Sequence, residues 1–151
     1  MISQKAQYAL KALVILAKLG ENDALTTAQI AEQRKIPRKF LEQILLELKR
    51  HGIVASRRGR DGGYMLLKKA DAITFGEVLR IVDGPLAPLP CLSKVAYRQC
   101  EGCIDETTCE VRRVFELVTS ATRAVLDRAT VADAIGTDDE ELARFMIPRA
   151  A

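Results

Sequence analysis

The chain has 151 residues, 48% of them hydrophobic, and its net charge at neutral pH is +3. This length allows one domain, or one small domain with an extension, and the hydrophobic content is sufficient for a packed core. The sequence contains neither an apolar run of about 18 residues nor an N-terminal signal peptide. We therefore expect a cytoplasmic protein that does not span a membrane.

The charge is spread unevenly along the chain. Residues 1–70 contain 14 Lys or Arg and 6 Asp or Glu, whereas residues 71–151 contain 9 and 14. A basic half is typical of a protein that binds a polyanion such as nucleic acid, although a protein-interaction scaffold with solvated charges would look similar. The sequence shows no Ser/His/Asp set, phosphate-binding loop or metal-hydrolase motif, so we do not expect an enzyme.

Three helices are predicted in the N-terminal part of the chain. Small and apolar residues recur at helical spacing over residues 3–19, with Ser3 as the expected N-cap. Thr26 and Gln29 have the spacing of a capping box, which predicts a second, short helix. Pro37 suits the first position of a third helix, because its missing N–H costs nothing there. Two short helices joined by a tight turn form a helix-turn-helix pattern.

The stretch RRGRDGGYML, residues 57–66, follows the third helix. Its three glycines predict a tight reversal between two short strands, because glycine reaches positive φ without steric cost. A helix-turn-helix followed by such a hairpin is the winged-helix arrangement. The predicted fold class is therefore mainly α with a small β-hairpin.

The third helix and the hairpin carry the side chains expected to contact DNA. Arg and Lys pair with guanine and Gln pairs with adenine in the major groove, while an arginine at the hairpin tip suits a narrow minor groove. A glutamate on the same helix would contact cytosine or shape the fit. Lys5 and the start of the second helix are expected to contact phosphate. The candidate DNA-binding residues are Arg38, Lys39, Glu42, Gln43, Arg58, Arg60 and Thr27.

The C-terminal half begins with a further predicted helix, capped by Thr74 and reaching Val82. The stretch DGPLAPLP then ends regular structure, and a cysteine-bearing loop follows. From about Cys109, apolar residues recur at three- and four-residue spacing as far as Ala129, which predicts one long helix.

All four cysteines lie within 19 consecutive residues, and they are Cys91, Cys100, Cys103 and Cys109. In a cytosolic chain such a cluster indicates metal binding or redox chemistry rather than a disulfide framework. Four thiolates can hold zinc or an iron–sulfur cluster, and the long first gap makes a zinc ribbon the weaker choice. A metal-free thiol switch is the second interpretation and inert cysteines are the third. Arg98, Arg112 and Arg113 are expected to lower the thiol pKa values.

The sequence resembles the bacterial winged-helix regulators of the IscR/NsrR type, the Rrf-two family. The resemblance covers nearly the whole chain, and its most specific stretches are FLEQILLELKRHGIVASRRGRDGGYML, ITFGEVLRIVDGP and the cysteine loop. It implies a homodimer on palindromic double-stranded DNA, in which each long C-terminal helix packs against its partner. The implied parts are a winged-helix domain with the following helix (1–83), a sensor loop (84–108), a dimerisation helix (109–135) and a flexible acidic tail (136–151).

The same resemblance implies a cofactor, since Cys91, Cys103 and Cys109 match the family's three cluster ligands. Both familiar fourth ligands are missing, and Arg112 stands in the place of one of them. Cys100 is the expected substitute, which implies an all-cysteine 2Fe–2S or 4Fe–4S site. The implied function is a DNA-binding transcriptional regulator that senses cluster, iron or redox status. The alternative is a metal-free thiol or persulfide switch of the same fold, with Cys100 and Cys103 as its pair.

Overall fold

The molecule is mainly helical and contains a two-stranded antiparallel hairpin, as the sequence predicts. The structure is a computed structural model that describes residues 2–136 and residue 140. Within these residues, no helix is long and apolar enough to cross a bilayer. The elements are α1 (Gln4–Ala17), α2 (Thr27–Arg34), α3 (Arg38–Arg50), β1 (Val54–Arg57), β2 (Gly63–Leu66), α4 (Phe75–Asp83), α5 (Glu110–Leu126) and α6 (Asp133–Gly136), with 3-10 turns at Ala70–Ala72 and Pro90–Leu92.

The helices α1, α2 and α4 begin at the side-chain caps that the sequence predicts. The hydroxyl of Ser3 accepts a backbone N–H from the first turn of α1. Thr26 and Gln29 form the complete capping box at the start of α2, and Thr74 caps α4. These contacts satisfy backbone donors that a helix N-terminus otherwise leaves unpaired, so local sequence is sufficient to fix where each helix starts.

The turn between α2 and α3 is short and tightly defined. Lys35 adopts the left-handed conformation with φ of 55°, and Ile36 is buried beneath the turn. Pro37 stands one residue before α3 rather than in its first turn, because its ψ of 123° is extended. Its carbonyl accepts the N–H of Leu41 at 3.0 Å and so begins the helical ladder. The two helices are thereby held as a helix-turn-helix unit.

The core is built on the apolar face of α3. That face packs against α1, α2 and α4, which supply further buried aliphatic side chains. Removal of these side chains from water is the main stabilising contribution to a domain of this size. The fully buried α3 residues are Leu41, Ile44, Leu45 and Leu48.

The adjacent residues Leu45 and Leu46 provide a direct test of this packing, because Leu45 is fully buried and Leu46 is 44% exposed. Leu45→Ala is expected to reduce the free energy of unfolding by about 2–5 kcal/mol, since it removes buried methyl groups and leaves a cavity. Leu46→Ala is expected to cost less than about 1 kcal/mol. Urea denaturation of both variants measures the difference, and equal losses would show that α3 does not pack as described.

The hairpin is joined to the segment that leads into α2. Val54 pairs with Leu66 and Arg57 with Gly63 in antiparallel register. The segment before α2 adds a further bridge, in which Leu25 and Tyr64 exchange backbone hydrogen bonds of 3.0 and 2.7 Å. The hairpin therefore does not stand on two strands alone, since the residue that precedes the α2 cap also pairs with it.

The C-terminal helix is shorter than predicted. The apolar spacing predicts a single helix from Cys109 to Ala129, and the resemblance extends the dimerisation helix to 135, but α5 ends at Leu126. The chain then turns back. The side chain of Val131 is fully buried in the core, and the backbone N–H of Val131 donates to the carbonyl of Ile73 at 2.9 Å. A continued helix would carry that valine away from the core. Of the predicted tail over 136–151, all but residues 136 and 140 lies outside the described part.

Candidate DNA-binding surface and cysteine cleft

The four candidate residues of α3 lie on the exposed side of the helix. Arg38, Lys39, Glu42 and Gln43 alternate with the buried leucine face at helical spacing, and all four are exposed. The guanidinium Nε of Arg38 donates to Oε1 of Glu42 at 3.2 Å. This ion pair compensates the carboxylate on an otherwise cationic surface. The surface therefore presents hydrogen-bonding groups that match base edges in a major groove.

The sequence predicts phosphate contacts at the start of α2 and at Lys5, and the structure places these two differently. Thr27 is the first residue of α2 and is half-buried. Lys5, which the sequence suggests as a phosphate contact, instead places Nζ 2.6 Å from Oε2 of Glu47. Both side chains of this pair are about one-third exposed. Lys5 thus links α1 to α3 within the fold.

The three arginines of the hairpin are all exposed, but they differ in their protein partners. Arg58 and Arg60 are exposed, and within the described residues neither forms a hydrogen bond or an ion pair. Arg57 differs, because its Nη2 donates to the carbonyls of Asn22 and Asp61 at 2.9 and 2.8 Å. The arginines at the hairpin tip are consequently available to a ligand, whereas Arg57 is bound to the protein's own backbone.

The four cysteines come from three structural settings and line one cleft of about 550 Å³. Cys91 lies in the 3-10 turn before the loop and is buried. Cys100 and Cys103 flank a tight turn, in which the N–H of Cys103 bonds to the carbonyl of Cys100 at 3.1 Å. Cys109 is the N-cap of α5, and its Sγ accepts the N–H of Arg112 at 3.4 Å. The positive end of the helix dipole therefore faces this sulfur.

The sulfurs share the cleft without converging on a single metal position. Among the described residues, no three His, Cys, Asp or Glu side chains are placed to hold one metal ion. A zinc site needs its ligands about 2.0–2.3 Å from a single point, whereas an iron–sulfur cluster is ligated at separate iron atoms. Thiolates are the donors that bind both zinc and iron–sulfur clusters, so the residue types of this cleft are compatible with either group.

The pKa of the Cys91 thiol is raised, not lowered as the nearby arginines suggest from the sequence. Burial is the largest cause, followed by a hydrogen bond to the Cys100 side chain and by the negative charges of Cys100 and Glu106. Arg112 opposes this shift but is the smallest contributor. The expectation of a lowered pKa is thus wrong for Cys91, because burial and the charge of Glu106 outweigh the nearby cations.

One wall of the cleft carries polar residues that the sequence reasoning missed. The hydroxyl of Tyr97 donates to Oε1 of Glu106 at 2.6 Å, and this hydrogen bond is the main reason that the pKa of Tyr97 is raised. The other carboxylate oxygen of Glu106 lies 3.7 Å from Nε of Arg112. The density of acidic residues between the cysteines was visible in the sequence, but their pairing depends on a loop without periodic pattern.

The outer face of α5 is apolar and exposed. Its neighbouring side chains recur at three- and four-residue spacing, which places them on one stripe of the helix. An exposed stripe of this kind is typical of a surface that packs against another chain. The exposed fractions are 56% for Val111, 59% for Val114, 37% for Phe115, 71% for Leu117 and 48% for Val118.

The inner face of α5 is tied to both neighbouring parts of the chain. Arg123 donates from Nη2 to the carbonyl of Leu92 at 3.0 Å, next to Cys91. Nη2 of Arg80 in α4 lies 2.6 Å from Oδ1 of Asp127, and Asp127 is the C-cap residue of α5. The two helices approach closely here, since a Cβ on Gly76 would lie 2.3 Å from the same Oδ1 and 3.1 Å from the carbonyl oxygen of Leu126. The cysteine cleft is therefore connected through α5 to the helix that packs on the winged helix.

Comparison with known proteins agrees with this arrangement. Residues 2–137 match the family Rrf2, described as an iron-dependent transcriptional regulator. An rrf2-like HTH-type transcriptional regulator of Rhodobacter capsulatus is 48% identical over 136 residues, which cover 88% of this chain and 91% of that protein.

Two solved structures share the fold. CymR, the global cysteine regulator of B. subtilis, superposes with a TM-score of 0.71 at 30% identity and covers 91% of this chain and 98% of its own. T. potens IscR gives a TM-score of 0.70 at 27% identity, with 89% of this chain and 85% of its own. Because the family match spans almost the whole chain, winged helix, cysteine loop and α5 included, the chain belongs to the Rrf2 family of winged-helix transcriptional regulators and is not an enzyme.

Proposed function

We propose that the protein is a homodimeric transcriptional regulator whose affinity for a palindromic operator depends on the state of its cysteine cleft. The observation that carries the proposal is the placement of Cys109 at the first turn of α5 and of Cys91 beside the residue that Arg123 binds. The helix α5 thus begins at one of the four cysteines and also carries the exposed apolar stripe. The division into a DNA-binding part (1–83) and a sensor loop (84–108) follows from this assignment, with α5 (Glu110–Leu126) as the dimerisation helix in place of the predicted 109–135.

DNA binding is assigned to α3 and the hairpin. Arg38, Lys39 and Gln43 are directed to base edges in the major groove, with Glu42 adjusting the fit. Arg58 and Arg60 extend from the hairpin tip toward the adjacent minor groove or its phosphates, and the start of α2 at Thr27 faces backbone phosphate. The exposure of these side chains supports this assignment.

Arg58 gives the sharpest test of the hairpin contact. Arg58→Ala is expected to weaken operator binding by about 1–3 kcal/mol, because it removes a cationic groove contact. Lys18→Ala is the control, since Lys18 is also cationic and exposed but lies at the end of α1, outside the assigned DNA contacts and the cysteine loop. Fluorescence anisotropy with a selected duplex measures both affinities. An Arg58→Ala variant that binds as tightly as the wild type would show that the hairpin does not contact DNA.

The exposed stripe of α5 is proposed to pack against the same stripe of a second copy. A two-fold dimer presents two copies of α3 to half-sites about one helical turn apart, which accounts for a palindromic operator. Any change in the direction of α5 alters the separation of the two recognition helices. The fit to both half-sites is therefore sensitive to what happens at the start of this helix.

The cysteine cleft is proposed to hold an iron–sulfur cluster, either 2Fe–2S or 4Fe–4S, through Cys91, Cys100, Cys103 and Cys109. When bound, such a cluster supplies a redox- and iron-sensitive cross-link between thiolates. The chain's own part is to present the thiols and to transmit their arrangement: Cys109 fixes the first turn of α5, and Arg123 joins α5 to the 3-10 turn that carries Cys91. Loss of the cross-link releases the loop between them.

A metal-free thiol switch is the second candidate, and one observation favours it. Cys91 and Cys100 line the same cleft, and the Cys100 side chain helps to raise the pKa of the Cys91 thiol, so this pair is a candidate beside the expected Cys100 and Cys103. Oxidation by a peroxide would join the two sulfurs, with two electrons passing to the peroxide and two thiol protons leaving with its oxygens as water. The fold shared with CymR, the global cysteine regulator of B. subtilis, is compatible with this chemistry.

Composition and colour separate the two candidates. Anaerobically purified protein that is brown and contains iron and sulfide supports the cluster. Colourless protein that contains neither, and that yields a peptide pair linked through Cys91 and Cys100 after peroxide treatment, supports the thiol switch. Colourless protein that forms no disulfide would contradict both versions of the sensor.

A further inference from the structure

The hairpin contains one arginine whose role differs from that of its neighbours. Both hydrogen bonds of Arg57 use Nη2, and both acceptors are backbone carbonyls, Asn22 before α2 and Asp61 at the hairpin tip. A guanidinium holds two such acceptors in a fixed planar geometry, and bonds with a charged donor are stronger than neutral ones. One side chain therefore spans the gap between the hairpin and the loop that leads into α2.

The two acceptors belong to segments that need this support. Asn22 has a φ of 68°, a left-handed conformation that is uncommon outside glycine. The hairpin tip is tightly packed, because a Cβ on Gly62 would lie 2.4 Å from the carbonyl oxygen of Arg57. The bridge between Leu25 and Tyr64 joins the hairpin to the segment before α2 one residue from the turn-closing pair, and Arg57 extends this connection to Asp61 in the turn itself.

We infer that Arg57 is a positioning residue, which sets the height and direction of the hairpin tip relative to α2 and α3. The inference rests on the proposed DNA-binding function, because it concerns where Arg58 and Arg60 lie with respect to the recognition helix. Arg57 itself need not contact DNA. All three arginines are exposed, but Arg57 donates to two protein carbonyls, whereas the side chains of Arg58 and Arg60 have no protein partner in the described part of the chain.

Two charge-conserving variants separate positioning from contact. Arg57→Lys keeps the cation but loses the planar two-acceptor geometry, and Arg58→Lys makes the same change at a residue without protein hydrogen bonds. The free full-length protein is examined by amide hydrogen exchange over residues 58–63. Arg57→Lys is expected to accelerate exchange there by about fivefold or more, because the tip opens more often. Arg58→Lys is expected to leave the exchange rates unchanged.

The same variants are then titrated against a duplex selected by the wild-type protein from a random-sequence pool. Arg57→Lys is expected to lower affinity about fivefold to tenfold while the dependence on salt concentration stays the same, since no phosphate contact is lost. Unchanged exchange together with near wild-type affinity for Arg57→Lys would overturn the inference. If the wild type selects no duplex, the proposed function fails, while the exchange comparison still decides whether Arg57 positions the tip.

Discussion

Val114→Asp is expected to convert the protein from a dimer to a monomer and to lower operator affinity by at least about 100-fold. Val114 is 59% exposed in the middle of the α5 stripe, so the isolated chain tolerates a carboxylate there. In a dimer the same carboxylate would be buried without a partner, which is strongly unfavourable. A monomer also loses the gain that comes from binding two linked half-sites, which is commonly a factor of 10²–10⁴.

The control for this experiment introduces the same charge elsewhere on α5. Ser120 is exposed and lies away from the apolar stripe, so Ser120→Asp is expected to leave both mass and affinity unchanged. Sedimentation equilibrium gives the mass, and anisotropy with the selected duplex gives the affinity. A Val114→Asp protein that sediments as a dimer would show that this stripe is not the interface. A wild type that sediments as a monomer would contradict the proposed assembly.

Cys100→Ala is expected to reduce the iron and sulfide content of anaerobically purified protein to background, if a four-cysteine cluster is bound. Cys100 is the proposed fourth ligand, and it lines the same cleft as Cys91, Cys103 and Cys109. A cluster that loses one of four thiolates is left with an open iron position that water attacks. Dimerisation is expected to persist, because the apolar stripe of α5 does not include this residue.

Thr108→Ala is the matched control, because Thr108 lines the same cleft and carries no sulfur. Its iron content is expected to equal that of the wild type. Iron and sulfide analysis, together with the absorption spectrum, decides between the variants. Wild-type iron content in Cys100→Ala would show that the fourth ligand is another residue. The acidic residues that line the cleft would then be the remaining candidates.

The DNA-binding part of the fold could be predicted well from the sequence because short-range patterns determine it. The caps at Ser3, Thr26 and Thr74 act within one helical turn, and the glycines of the hairpin specify a reversal within six residues. The leucine spacing of α3 likewise identifies its buried face, and with it the exposed positions that carry the candidate DNA contacts. Each of these features needs only neighbouring residues to be recognised.

The cysteine loop and the end of α5 could not be predicted in detail because distant residues determine them. The termination of α5 at Leu126 depends on the burial of Val131 beside Ile73, which is 58 positions earlier in the chain. The cleft that Cys91 and Cys100 share and the raised pKa of Cys91 depend on a loop without periodicity. The hydrogen bond from Arg57 to the carbonyl of Asn22 joins residues 35 positions apart, and nothing in the local sequence distinguishes Arg57 from Arg58.

The central claim is that the state of the cysteine cleft controls operator binding. The most direct test is the affinity of one protein preparation for its selected operator, measured anaerobically with the cluster reconstituted and again after the cluster has been removed. The two affinities are expected to differ by at least about tenfold. This corresponds to about 1.4 kcal/mol of coupling free energy between the cleft and the DNA-binding surface. Equal affinities across several selected operators would contradict it.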